Sequence, residues 1–169
     1  MGLAHDPEVW RARLAALPLA TYEAGETVFA EGTKTGRLLI LKSGAVAIVK
    51  GGTEIATVAE PGAVFGELSA LLDQPHSADV RALEASEFHV ADAAALLGQD
   101  PAALLYVTMM LARRLDAANQ MFLELKNQLG SGEPPGLIDA TLDKVEGLLS
   151  AIGTGYIRAG AGASGYPFT

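Results

Sequence analysis

Cysteine is absent from the 169-residue chain, and with it go disulfides, thiolate nucleophiles, zinc-ribbon sites and cysteine-held iron–sulfur clusters. Positive charge is scarce: 12 Lys and Arg face 20 Asp and Glu, for a formal net charge of -8 at pH 7. Binding a phosphate backbone relies on counterion release by clustered Lys and Arg, so nucleic acid is not an expected partner. An anionic ligand must be drawn in by local dipoles and a few placed cations, against the field of the whole molecule. No uninterrupted apolar run reaches membrane-spanning length. The opening "MGLAHDPEVW" lacks the basic start and apolar stretch of a secretory signal, and Asp6 argues against myristoylation. No membrane partner is expected, and the expected location is cytoplasmic. The histidines are few and scattered, at His5, His76 and His89, with no paired metal-ligand spacing. His89, inside the strand pattern "EFHVA", reads as solvent-facing or satisfied. Neither a G-x-S-x-G elbow nor a P-loop occurs. No metal ligand, catalytic residue or enzymatic activity is therefore expected.

Half of the residues are apolar, enough for one well-packed domain with an appendage. Asp6-Pro7 has the form of an N-cap and first helical residue, and Val9, Trp10, Leu14 and Leu17 follow at helical spacing up to Pro18. From about Thr21 to Ala91 the texture is β: "TVFAEG", "RLLILKSG", "AVAIV", "EIATVAEPG", "ADVRAL" and "EFHVA", punctuated by glycine. Gly51-Gly52 supplies the positive φ angles of a tight hairpin. Strands this short and this regularly turned predict an antiparallel roll or barrel. The period then changes. After the cap Asp100-Pro101, positions 104, 108, 111, 115, 118, 122, 125 and 129 form a four-three heptad seam on a helix of about 40 Å. Such a helix outruns the roll beside it, which predicts a homodimer through helix 101–129 across a two-fold axis. The alternative is a seam packed wholly on the roll.

The domain boundaries follow: residues 1–128 for the roll and long helix, 129–136 for the linker "GSGEPPG" and its approach, 137–152 for an amphipathic helix and 153–169 for a glycine-rich tail. Ile138, Leu142, Val145, Leu149 and Ile152 carry that second helix. The expected class is α+β, an antiparallel β-roll of jelly-roll type with an N-terminal helix, a short helix at Gly66 and a long C-terminal helix.

The chemistry concentrates in "FGELSALLDQPHSADVRA", residues 65–82. Gly66 opens a segment long enough for one or two helical turns. The first amides of a helix lack internal acceptors and carry the positive dipole end, and glycine lets an anion approach them. Glu67 beside them suits a sugar hydroxyl, as acidic residues elsewhere take ribose hydroxyls. Amides for phosphate and a carboxylate for ribose point to a nucleotide.

"FGELSALL", a gap and "PHSADVRA" together resemble the phosphate-binding cassette of the cyclic nucleotide-binding domain. "AGETVFAEG" and "LLILKSGAVAIV" resemble its glycine-marked strands, and "DPAALLYVTMMLARRL" resembles the entry to its long helix in the bacterial catabolite-activator branch. The resemblance covers about residues 19 to 128. It implies an eight-stranded β-roll that binds cyclic AMP or cyclic GMP as a switch, with no further cofactor. By position it implies that Gly66, Leu68 and Ser69 donate backbone NH groups to the cyclic phosphate, that Glu67 accepts from the ribose 2'-hydroxyl and that Ser77 gives a hydroxyl to the phosphate. Arg114 would reach from the long helix toward Glu67, and Asn119 would contact the base, although Ala118 replaces the threonine expected before it.

His76 stands where the family has arginine. Arginine gives a phosphate two parallel charge-assisted bonds, whereas histidine gives one and is mostly neutral at pH 7. Losing a charged hydrogen bond costs roughly 1.5–3 kcal/mol, or about ten- to a hundredfold in affinity. A bound anion favours imidazolium, so ligand binding is expected to tighten between about pH 8 and pH 6. The roughly forty residues after the long helix hold too few basic groups for the helix-turn-helix of bacterial relatives. Two functions follow. The first is a stand-alone cyclic nucleotide sensor that reports to a separate effector protein. The second is a degenerate roll kept as a dimerisation or interaction scaffold without nucleotide binding.

Overall fold

The structure is a computed structural model that describes residues 7–130. Helix α1 (Pro7–Ala15) leads into strands β1 (Leu19–Tyr22), β2 (Thr27–Phe29), β3 (Arg37–Ser43), β4 (Val46–Lys50), β5 (Thr53–Val58) and β6 (Val64–Phe65). Helix α2 (Glu67–Leu72), strands β7 (Asp79–Ala82) and β8 (Ser86–Asp92), and helices α3 (Ala93–Gln99) and α4 (Pro101–Gly130) complete the chain order. All pairings are antiparallel, in two four-stranded sheets of order β1-β8-β3-β6 and β2-β7-β4-β5. This is the expected α+β roll.

Strand β3 shows why the two sheets and the helices cohere. Successive side chains of a strand point to opposite faces, and "LLIL" is apolar at every position. Leu39 and Leu41 enter a core between the sheets with Val46, Val58, Phe65, Val80 and Phe88. Leu38 and Ile40 face the other way and pack with Trp10, Leu97, Tyr106, Val107 and Met110 of the helices. Burying each such side chain stabilises the fold by about 1.5–3 kcal/mol, so one strand ties two cores together. Trp10 stacks on Tyr106 with ring centroids 4.3 Å apart, fixing α1 to α4.

The β4–β5 hairpin closes at Lys50↔Thr53 with Gly51 at φ 55° and Gly52 at φ 82°, as two-residue turns of this twist require. Asp100 caps α4 by accepting from Ala102 N at 3.0 Å and Ala103 N at 3.2 Å. Against the roll, α4 buries Ala103, Tyr106, Val107 and Met110. The seam at Leu104, Thr108, Leu115, Ala118 and Phe122 lies on the exposed surface, and Leu111 is half-buried. Leu115 is 63% and Phe122 70% exposed, so the roll does not cover the seam. No single helix among the described residues is long and apolar enough to cross a membrane.

The structure corrects several expectations. Sheet structure begins at Leu19, because β1 pairs with the distant β8. Helix α3 was not anticipated, since "AAALLGQ" is too short to show a period. Val9 is exposed and Trp10 alone of that pair is buried. His89 is half-buried: its Nδ1 is enclosed without a side-chain hydrogen-bond partner, burial is the first cause lowering its pKa, and a hydrogen bond with the Leu14 backbone acts in the opposite direction. Helix α4 reaches Gly130, two positions into the span expected as linker. The remainder of that linker, the 137–152 helix, the tail, Asp6, and the seam side chains at 125 and 129 lie outside the described residues.

Candidate functional site

A cavity of about 310 Å³ opens between α2, the β2–β7–β4–β5 sheet and α4, a size within the roughly 300–1,000 Å³ of small-ligand pockets. Its walls are mostly apolar, with Phe29, Ile48, Val58, Phe65 and Val80 among them, and the polar side chains of the lining are Glu67, Ser69, His76, Ser77 and Arg114.

Gly66 sets the start of α2 in this lining. Its φ of 89° is left-handed, and a Cβ there would lie 2.5 Å from Arg37 O and 3.2 Å from the Phe29 ring. Only glycine lets the chain turn from β6 into α2 at this closeness. Helix α2 therefore starts at the cavity wall, and its first amides belong to the lining residues Glu67, Leu68 and Ser69. No side chain caps them, and none of the turn and loop hydrogen bonds uses the NH of Glu67, Leu68 or Ser69. The far end of α2 is tied off locally: Ser69 Oγ donates to Gln74 O at 2.6 Å, and Gln74 N donates to Ser69 O at 3.2 Å.

Glu67 is buried and receives an ion-paired hydrogen bond from Arg114 Nη1. Arg114 Nη2 also donates to Val64 O at 3.3 Å. One guanidinium thus joins the long helix to the first residue of α2 and to β6. Removing one member of a buried pair typically costs about 3–5 kcal/mol, because the other charge is left without a partner.

His76 is 6% exposed and lies against Phe29, ring centroids 4.1 Å apart at 25°. Its Nε2 shares a 3.0 Å hydrogen bond with Thr35 Oγ1. Its backbone is pinned as well, with His76 N donating to Thr33 O at 2.7 Å and Gly32 N donating to His76 O at 2.9 Å. Burial lowers the pKa of the imidazole from its ordinary value, so the ring is neutral at pH 7. Ser77 is exposed beside it on the cavity wall, and no described hydrogen bond engages its hydroxyl.

Of the residues singled out from sequence, Gly66, Glu67, Leu68, Ser69, His76, Ser77 and Arg114 all line this cavity. Asn119 does not: it sits exposed on α4, past Arg114, and is absent from the cavity wall. Five residues further along a helix is about 7.5 Å of rise from Arg114. Sequence reasoning missed Phe29 and Thr35, the partners of the His76 ring. Both lie more than forty positions upstream, and nothing local to "TVFAEG" or "KTGR" marks them.

Residues 19–99 match the sequence profile described as the cyclic nucleotide-binding domain. Among solved structures, the Catabolite Activator Protein of Thermus thermophilus superposes with a TM-score of 0.60 at 26% identity, over 89% of this chain and 84% of its own. PKAR CBD2 with Sp-2Cl-cAMPS bound gives 0.56 at 25% identity, over 72% of this chain and 80% of its own. The N-terminal domain of a transcriptional regulator from Streptomyces coelicolor A3(2) gives 0.53 at 28% identity, over 69% and 86%. No curated protein matches the chain.

Proposed function

Because residues 19–99 match the cyclic nucleotide-binding domain family, we propose that the cavity beside α2 binds cyclic AMP or cyclic GMP and that the chain is a non-catalytic sensory module. The observation that carries this reading is the Arg114–Glu67 pair set at a glycine-opened helix start whose first residues line a cavity of ligand size. The amides of Leu68 and Ser69 and the Ser77 hydroxyl would hold the cyclic phosphate. Glu67 would accept from the ribose, and the base would lie along the apolar wall. No side chain of the cavity has a reaction to perform in this scheme; the ligand is bound and released unchanged.

The pair also suggests how occupancy is read out. Arg114 belongs to α4, so a ligand that competes for or strengthens the Glu67 contact changes the free energy of α4 against the roll. With its seam exposed, α4 would join a second copy, and the dimer would signal to a separate effector protein. The phosphate site is weakened by His76, which presents one neutral ring where a guanidinium is usual.

The scaffold reading draws on the same residue: His76 is already stacked on Phe29 and bonded to Thr35. Calorimetry with cyclic AMP and cyclic GMP separates the two. The sensor reading expects saturable binding of at least one nucleotide, and a gain of about tenfold or more in His76→Arg. Absence of binding by both proteins, each shown to be folded by thermal melting, would leave the scaffold.

A further inference from the structure

The formal charges of the cavity lining cancel. Glu67 and Arg114 are the lining side chains with a permanent formal charge, and they are paired with each other. Two surface pairs lie on the segments that flank the cavity lining, Lys34 with Asp73 and Asp79 with Arg81. What remains for a ligand is a set of neutral donors: the amides that begin α2, the Ser77 hydroxyl and the His76 ring. Neutral donors serve a sugar hydroxyl well. A phosphodiester must also give up its hydration, and neutral donors offset that loss less fully than a charged partner does.

Resting on the reading of this cavity as a nucleotide-type site, we propose that it also accepts the phosphate-free nucleoside, and that His76 is the residue that decides between the neutral and the anionic ligand. With the ring neutral, the cyclic phosphate gains little over the hydroxyls it replaces. With the ring protonated, the site carries net positive charge and favours the anion.

The surroundings of the ring allow this change of state. Thr35 Oγ1 on Nε2 can accept or donate, so it tolerates either form. No described hydrogen bond engages Nδ1. Against the ring lie Phe29 from β2 and Thr35 from the β2–β3 loop, and Glu67 from α2, Arg114 from α4 and Ser77 line the same cavity. The charged members of that set are the paired Glu67 and Arg114, so a bound phosphate would be the one uncompensated charge beside the imidazole. Burial, which holds the free ring neutral, places its protonation on the acid side of neutrality unless an anion is bound.

Titration calorimetry on the full chain, with adenosine and guanosine against cyclic AMP and cyclic GMP, tests this at pH 8 and pH 6. At pH 8 the better nucleoside is expected to bind within about threefold of its cyclic nucleotide, or more tightly. At pH 6 the cyclic nucleotide is expected to gain about fivefold while the nucleoside changes by less than about twofold. His76→Arg should favour the cyclic nucleotide by about ten- to a hundredfold at both pH values. A cyclic nucleotide about tenfold or more tighter than its nucleoside at pH 8 in the unaltered chain overturns the proposal and leaves the sensor reading intact. Binding of neither class, by the unaltered chain and by a folded His76→Arg variant, overturns both. Should His76→Arg not fold, the two pH arms on the unaltered chain decide alone.

Discussion

At Gly66 a single backbone conformation carries the site. The left-handed φ and the 2.5 Å approach of a Cβ to Arg37 O combine strain with collision, so Gly66→Ala is expected to lower unfolding free energy by about 2–4 kcal/mol, read by urea denaturation. A change below about 1 kcal/mol would mean that the turn relaxes easily and that the α2 amides are not held in place. Arg114 acts differently, through charge. Arg114→Ala leaves Glu67 buried without its partner, and a loss of about 3 kcal/mol is expected. Glu67→Gln in the Arg114→Ala background should recover part of it, because a neutral amide is cheaper to bury than a carboxylate. If the double variant is no more stable than the single one, packing of the guanidinium stem outweighs its charge. The histidines add a pH dependence. His76 and His89 both have folded-state pKa values lowered by burial. Above about pH 6.5 the imidazoles are neutral folded and unfolded; below it the unfolded chain takes up protons that the folded chain refuses. Stability is therefore expected to fall as pH drops from about 6.5 toward the folded pKa values. Melting temperatures from pH 7.5 to pH 5.5 check this, and His76→Gln should flatten part of the slope.

Among the elements, those with local signals were legible and those made by distant partners were not. The Gly51-Gly52 hairpin declares itself because both turn residues need positive φ, and α4 declares itself by a cap and a sustained period. The cassette was legible for the same reason: Gly66, Glu67 and Ser77 lie within a dozen positions, and the geometry linking them is nearly local. β1 and β6 owe their existence to β8 and β3, and strands of 4 and 2 residues have no period to read. The His76 environment was equally hidden, since Phe29 and Thr35 meet the ring only when β2 and the loop after it close over β7. Asn119 is a different case, placed by its position in the resemblance after Arg114, and on α4 it is exposed and outside the cavity lining. Helix α4 also sets the test at this scale. Its first turns bury against the roll, while Leu115 and Phe122 remain exposed on a surface that two copies can share. Leu115→Glu with Phe122→Glu is expected to convert a dimer to a monomer in sedimentation equilibrium with an unchanged far-ultraviolet dichroism spectrum. A monomeric unaltered chain at about 50 μM, well above the dissociation constants of stable dimers, would remove α4 as the dimer contact.

Over the whole molecule the governing quantity is the net charge of -8, set against a cavity whose own charges cancel. A protein that captures an anion through clustered cations loses affinity as salt is added, because screening weakens attraction. Here the sign is reversed. The long-range field repels a cyclic nucleotide, and the attraction that remains is short-range, from the amides of α2 and the Ser77 hydroxyl, which salt barely screens. Raising ionic strength from about 0.01 M to 0.1 M shortens the Debye length from roughly 30 Å to 10 Å, which removes repulsion from carboxylates across the surface and leaves contacts inside the cavity intact. The association rate of a cyclic nucleotide is therefore expected to rise by about twofold over that range, with a nearly constant dissociation rate. A nucleoside, carrying no charge, should show neither change. Stopped-flow measurement with a fluorescent cyclic nucleotide and its nucleoside counterpart reads both rates. An association rate that falls with salt would place an unmatched cation at the mouth, contrary to the pairing of Arg114 with Glu67, and would relocate the source of anion capture from the main chain to a side chain.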